Sequence, residues 1–313
     1  GNPARGKGAS PTMNKPSESE PLGDTQPSED LITVAGVQMD VALMDVEANL
    51  AAMEGHLSKT AQQGALLTVF PECAVTGYCF DSLEEALPYA ESIPGPSTRR
   101  MAEHCAKLGG FVVYGLLEQE GDDLFNACVL VGPDGVLGSY RKIHLPYLGI
   151  DRFTTPGNRP FAVQAAGQLK VGMNICYDGA FPESSRIMAL QGADLIVLPT
   201  NWPPGAKCTA DYVINTRAME NATYYMAVDR VGSERGFDFI GKSRICEPNG
   251  DTVASADHTE EEILYAQIDL RRSRNKHLVR VPEKHEIHRF ADRQPQWYAA
   301  LTEPVQSQHK RKT

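Results

Sequence analysis

Three segments of the chain end apolar runs on a residue that could react. In "VFPECAVTGY", Glu72 follows Phe70-Pro71. Proline cannot donate to a sheet ladder, so the strand stops there and Glu72 sits at its mouth. In "GSYRKIHLP", Lys142 lies at a strand end. In "NICYDGAFPE", Cys176 closes an apolar strand just before a helix. Taken singly, each has a plain reading: a capping acid, a surface ammonium, a small thiol packed in a core. Together, an acid, an ammonium and a thiol make a working set for attack on a carbonyl-like carbon. Glu72 would take the thiol proton, and Lys142 would stabilise a thiolate and an oxyanion. The backbone N–H of Tyr177 is a candidate second oxyanion donor. The helix that follows adds a smaller favourable field.

His144 offers a rival base. It lies two residues past Lys142 and faces the same way on an extended strand. A Cys/His pair is therefore conceivable, but a supporting role is preferred. His277, His285 and His288 fall in a late polar segment. Glu118 closes "YGLLE" and is a candidate support. Tyr78, Tyr147, Phe153, Phe181 and Trp202, with Asn201, fall in segments that would rim a substrate pocket, where packing is the competing reading. Arg217 and Glu220 lie three apart on an expected helix and read as an ion pair.

The elements that must position these groups alternate. "LITVAGVQM" reads as a strand, and Val46, Leu50, Met53 and Leu57 follow at helical spacing. "ALLTVF", "FVVYGLLE", "NACVLVG", "VLGSY", "LKVGMNIC" and "ADLIVLP" read as strands. Further strands are "YYMAVDRVG", "KSRICEP", "DTVASA" and "ILYAQIDL". Helices are expected around Met101, Cys105 and Leu108, from about Glu183 to Gln191, and from about Thr209 to Asn221. "GALLTVFPE" at 64–72 parallels "GADLIVLPT" at 192–200, and a helix, a strand and a hairpin follow each. A duplicated α-β-β unit predicts two similar sheets packed face to face with helices outside. The fold class is α/β, a four-layer α-β-β-α sandwich with an internal pseudo-repeat.

Residues 1–30 are rich in Pro, Gly, Ser and charge and read as a disordered leader. Residues 31–270 read as one domain, and 271–313 as a C-terminal arm and polar tail. Net charge is -10 over 313 residues, with no basic patch, so nucleic acid is not an expected partner. No apolar run approaches the ~20 residues that cross a bilayer. Seven cysteines are scattered singly, with no metal-ligand spacing, so no metal and no cofactor are expected. Free thiols suit a reduced, cytoplasmic setting.

The three reactive segments, with "GADLIVLPTNW" and "RAMENATYYMAVDRVG", resemble the nitrilase, or carbon–nitrogen hydrolase, superfamily over about residues 32–298. The resemblance implies Glu72, Lys142 and Cys176 as the catalytic set, a homodimer or larger homo-oligomer, and a cofactor-free reaction. Tyr177-Asp178 after the nucleophile resemble the amidase and carbamoylase branches. The expected activity is hydrolysis of a small linear amide to acid and ammonia through a Cys thioester. An N-carbamoyl amide hydrolase is the near alternative, then a nitrilase or a binding protein on the same fold. Many amidase members carry a second Glu between the Lys and the Cys. Here Ile143–Ile175 contains none. Asp151 either stands in for it or belongs to a surface turn. A substrate carboxylate would want Arg152 and Arg159, and a polyamine would want Asp81, Glu84 and Glu85.

Overall fold

The strands that lie deepest in the molecule carry apolar runs with little polar alternation, as a strand covered on both faces requires. A computed structural model describes residues 29–305. The leader (but for its last two residues) and the polar tail fall outside the described residues. The first half runs β1 (Leu31–Gln38), α1 (Val46–Gln62), β2 (Leu67–Val69), a single turn α2 (Leu83–Ala86), α3 (Pro96–Leu108), β3 (Phe111–Glu120), β4 (Asp123–Gly132) and β5 (Gly135–Arg141). The second half runs β6 (Val163–Ala166), β7 (Leu169–Met173), α4 (Pro182–Leu190), β8 (Leu195–Thr200), α5 (Ile214–Asn221) and β9 (Tyr224–Asp229). A small hairpin, β10 (Ser233–Glu234) with β11 (Phe237–Asp238), precedes β12 (Ser243–Cys246) and β13 (Thr252–Ala256). β14 (Glu262–Asp269) pairs antiparallel with β1, and α6 (Leu270–Arg274) leads to a last hairpin, β15 (His277–Val281) and β16 (His285–His288).

Helix ends follow local chemistry. Asp45 caps α1 by accepting from the Ala48 N–H, and Pro96 and Pro182 open α3 and α4, where no backbone donor is needed. Leu50, Met53 and Leu57 form the buried face of α1, as their spacing predicts.

The two six-stranded sheets have the orders β14-β1-β2-β3-β4-β5 and β13-β12-β9-β8-β7-β6. In each, three parallel strands form the centre (β1-β2-β3 and β7-β8-β9), and antiparallel strands flank them. One core joins the sheets face to face, with Val34, Val69 and Val113 from the first against Val171, Val197 and Met226 from the second. A second core packs α1 and α3 on the outer face of the first sheet through Met53, Leu57, Met101 and Cys105. Met188 of α4 and Ile214 and Ala218 of α5 pack on the second sheet. The chain is thus a four-layer α-β-β-α sandwich, and the pseudo-repeat is its plan.

Two expectations shift. The strands expected to end on Lys142 and Cys176 stop at Arg141 and Met173. Sheet bonding continues a step further, with Lys142 N–H to Asn126 O at 2.8 Å and Asn174 N–H to Val197 O at 3.2 Å. The helix expected from Thr209 opens with a wider π turn over Thr209–Val213 before α5.

Candidate active site

Glu72 follows β2, Lys142 follows β5 and Cys176 follows β7, so loops at strand ends bring all three to one region. Gly115 of β3 makes room for Glu72: a Cβ there would lie 2.3 Å from the Cys73 nitrogen and 2.8 Å from Glu72 Cα. Glu72, Lys142 and Asp151 are all fully buried. Lys142 Nζ donates to Glu72 Oε1 at 2.7 Å and to Asp151 Oδ2 at 2.6 Å. Asn126 Nδ2 spans the two acids, donating to Glu72 Oε1 at 2.8 Å and Asp151 Oδ1 at 3.0 Å. The Tyr78 hydroxyl donates to Asp151 Oδ2 at 2.6 Å. Asp151 is therefore a buried partner of the ammonium, and the surface-turn reading is set aside. Glu72 Oε2 is buried with no hydrogen-bond partner among the described residues.

The electrostatics follow from burial. Desolvation pushes the Glu72 carboxyl above the usual carboxylate range, and the Asp151 charge adds to it while Lys142 opposes. Burial by itself pulls the Lys142 amine down. The Asp151 and Glu72 charges outweigh it and hold the amine as an ammonium, well above its usual range. Burial, then the Glu72 charge, push the Cys176 thiol up, against Lys142, the Thr200 hydroxyl and the Asn201 backbone N–H. The resting sulfur is a thiol.

Cys176 has φ 45°, a left-handed backbone uncommon outside glycine. The turn after it, Cys176–Ala180, is pinned from both sides. Asp178, fully buried, accepts from Tyr140 Oη at 2.7 Å, Ile175 N–H at 2.9 Å and His144 N–H at 3.1 Å, and its Oδ1 lies 2.7 Å from His144 Nδ1. Arg217 donates to the Gly179 and Ala180 carbonyls, each at 3.1 Å, and pairs with Glu220 at 3.1 Å. His144 thus serves Asp178, and its ring stacks on Phe181 at 3.8 Å.

A cavity of about 260 Å³ opens on Cys176, lined mainly by apolar groups that include Pro146, Leu148, Tyr177, Trp202 and Ala206. Of the expected rim aromatics, Trp202 lines it. Tyr147 is exposed and lines a neighbouring cavity. Tyr78 is buried beneath, as the Asp151 partner. Phe153 packs beside the Arg152 guanidinium, 4.8 Å away, and Phe181 lies against His144 and the Tyr177 ring. Neither lines the Cys176 cavity. Asn201 is buried, and both polar atoms of its side chain lack partners among the described residues. Glu118 does not touch the cluster. It grips Arg141 by two bonds of 2.9 and 2.7 Å and so fixes the strand end before Lys142.

Four polar residues near the site are not among the expected site residues: Asn126, Asp178, Thr200 and Asp229. Asn126 carried a signal, being the one amide inside the apolar run "LFNACVLVG". Asp229 ends β9 in register with Thr200. Its Oδ1 accepts the Trp202 N–H at 2.8 Å, and burial holds its carboxyl well above the usual range. Among the described residues no group of three or more His, Cys, Asp and Glu is placed to hold a metal, and no helix is long and apolar enough to cross a membrane.

A family model described as carbon-nitrogen hydrolase matches residues 33–277. The chain belongs to the carbon-nitrogen hydrolase family. It is 40% identical over 269 residues to a nitrilase of Pyrococcus abyssi, covering 86% of this chain and 99% of that one. It is 32% identical to an omega-amidase of Danio rerio (76% and 88% covered) and 31% identical to an N-carbamoylputrescine amidase of Solanum lycopersicum (87% and 95% covered). A Saccharomyces cerevisiae member of the nitrilase superfamily superposes with TM-score 0.71 at 25% identity, over 78% of this chain and 92% of that one. As a carbon-nitrogen hydrolase the chain is an enzyme acting on C–N bonds. Its cavity carries a thiol beside a buried ammonium and a buried acid of raised proton affinity.

Proposed function

We propose that this carbon-nitrogen hydrolase is a thiol amidase that converts a small linear amide to its acid and ammonia. The observation that carries the reading is Lys142, held at 2.7 and 2.6 Å between two buried carboxylates. Glu72 Oε1 is committed to Lys142 and Asn126, which leaves Oε2 to take a proton. Its raised proton affinity suits a base working near neutral pH. Attack begins as the Cys176 Sγ–H proton passes to Glu72 and sulfur bonds to the amide carbon. The ammonium has three donors, so one remains for the oxyanion, beside the Tyr177 N–H. The tetrahedral adduct collapses as Glu72 returns its proton to the amide nitrogen, and ammonia leaves. Water, deprotonated by Glu72, then attacks the thioester. The acid departs and Cys176 regains its proton.

No cofactor enters this cycle, and the substrate is a small molecule sized to the cavity. The leader and arm boundaries, the reduced cytoplasmic setting and a homodimer or larger assembly are part of the same proposal. Exposed Ile187 and Leu190 on α4 and Met219 on α5 support a face that a second copy covers.

Ammonia release from amides, ureido compounds and nitriles, measured without added metal, tests the reading. Release from an amide, lost by about 10⁴-fold or more in Cys176→Ala, is the expected result. Intact-mass detection of an acyl adduct on the wild-type protein marks the thioester. Carbon dioxide released with ammonia from a ureido compound would move the reading to a carbamoylase. Undiminished turnover in Cys176→Ala would overturn the thiol.

A further inference from the structure

Away from the thiol, a cavity of about 300 Å³ lies where the stretch after β16 meets the helices of the second sheet. Arg186 of α4 and Glu220 of α5 line it from the helices, and Arg289, Asp292 and Arg293 line it from the arm. Three guanidiniums thus meet two carboxylates. Glu220 is already matched from outside the cavity by Arg217, at 3.1 Å. That leaves the three cations against Asp292 alone. Asp292 accepts the His288 N–H at 2.7 Å, and none of the three guanidiniums pairs with a carboxylate among the described residues.

The donors at this cavity are fixed but not used up. Arg186 Nη2 donates to the Glu220 carbonyl at 3.0 Å. Arg293 lies over the Tyr298 ring, 5.6 Å from its centre. Yet Arg186 Nη1 and Arg289 Nε are buried with no hydrogen-bond partner among the described residues. A buried donor left unpaired costs free energy, and a charged one costs more. His288 Nδ1 accepts the Phe290 and Ala291 N–H groups at 3.2 and 3.0 Å, so its ring proton sits on Nε2 as one more donor. Burial, and then the Arg293 and Arg289 charges, pull the Arg186 guanidinium below its usual range, with Glu220 opposing. These are like charges held together with too little to offset them.

We infer that this cavity binds a phosphoryl oxyanion, either inorganic phosphate or the phosphate group of a small monoester. Such a group brings about two negative charges and at least three acceptor oxygens. Guanidinium forks match that geometry, and the charge matches the excess left by Asp292. The inference stands apart from the amidase reading, since no step of that reaction uses these residues.

Calorimetric titration of the full chain with inorganic phosphate and with glycerol 3-phosphate, at an ionic strength held constant with sodium chloride, tests it. The expected result is saturable binding of one anion per chain, millimolar or tighter, for at least one of the two. Arg289→Gln and Arg293→Gln should each weaken it by about tenfold or more, the scale of one lost charge-assisted bond. Arg99→Gln, on the exposed side of α3, should leave it unchanged. Tighter binding of phosphate assigns the free ion, and tighter binding of the ester assigns a phosphorylated molecule. Either supports the site. No saturable binding of either anion would overturn it, and so would an equal loss in Arg99→Gln, which would reduce the effect to net charge. A dimer that falls to monomer in Arg293→Gln, while the wild-type protein binds neither anion, would give the guanidiniums to an acidic side chain of a second copy and end the inference. If the arginine variants do not fold, hydrogen exchange of the wild-type protein decides. Phosphate should slow exchange over residues 285–298, and unchanged exchange there would overturn the site.

Discussion

Lys142 carries one positive charge between two carboxylates, and that imbalance sets how the site titrates. The cluster of Glu72, Lys142 and Asp151 is fully buried, so each charge is felt by the others with little screening. The Asp151 charge helps to raise Glu72. Glu72 must be ionised to take the Cys176 proton, so its raised pKa sets the acid limb of kcat/KM. Asp151→Asn removes the charge and keeps the shape. The acid limb should then move to lower pH, because Glu72 loses a repelling neighbour. Turnover should also fall by about a hundredfold, the cost of misplacing one oxyanion donor. A pH–rate profile of the two proteins checks both. An unmoved limb would detach Asp151 from Glu72. The reactive types themselves were legible in the sequence, because each closes an apolar strand and starts a loop. Asn126 and Asp229 were not. Asn126 lies inside β4 and Asp229 ends β9, each a single polar residue in an apolar run, and only the folded neighbours tell whether such a residue is a partner of the site or a satisfied piece of core.

At the scale of elements, the loop from Pro146 to Phe153 holds the site together from outside the sheets. It carries Asp151 on a short 3₁₀ turn, Gly149–Arg152, that docks on Tyr78. The Ile150 N–H donates to the Tyr78 carbonyl at 2.8 Å, and the Tyr78 hydroxyl donates to the Leu148 carbonyl at 3.1 Å and to Asp151. Tyr78 is held in turn by Glu234 of β10, whose Oε2 accepts the Tyr78 and Cys79 N–H groups at 2.9 and 2.8 Å while Oε1 pairs with Arg230. Gly149 is the tight point. Its φ is 48°, and a Cβ there would lie 2.5 Å from Tyr78 Cε1. Gly149→Ala should therefore destabilise the protein by about 2 kcal/mol or more, from overpacking and the left-handed backbone. It should lower kcat further than the lost stability explains, since the displaced ring holds Asp151. Denaturant unfolding and steady-state rates on one preparation separate the two effects. Full activity at reduced stability would make this loop a mere connection. Helices and central strands announced themselves by period and by apolar runs. This loop did not, because much of its order comes from Tyr78 and Phe80, 70 and more positions away.

The whole molecule is a repeat that has kept one site. Val34 pairs with Leu67 in the first sheet, as Val171 pairs with Leu195 in the second. In that register Met39 stands where Cys176 stands, and Thr200 where Glu72 stands. The duplication was readable as pattern, and it predicted the two sheets. It could not predict which half supplies which group, since the site draws its thiol from one half and its acid and ammonium from the other. Their joining depends on the two sheets holding their places, and the outer helices bear on that. Arg217 of α5 grips the turn that follows Cys176. Tyr212, Met219, Ile187 and Leu190 expose apolar surface on this helical layer, whereas α1 and α3 expose only Leu108 among large apolar side chains. We propose this layer as an interaction surface, with a second copy packing its own α4 and α5 as the expected occupant. Light scattering on a sizing column should give twice the chain mass of 34.2 kDa at micromolar concentration. Ile187→Lys with Leu190→Lys should give the monomer and lower kcat, because α5 loses the support that keeps Arg217 on the Gly179 and Ala180 carbonyls. A wild-type monomer would remove the interface. A monomeric double variant with full turnover would keep it and cut its link to the site.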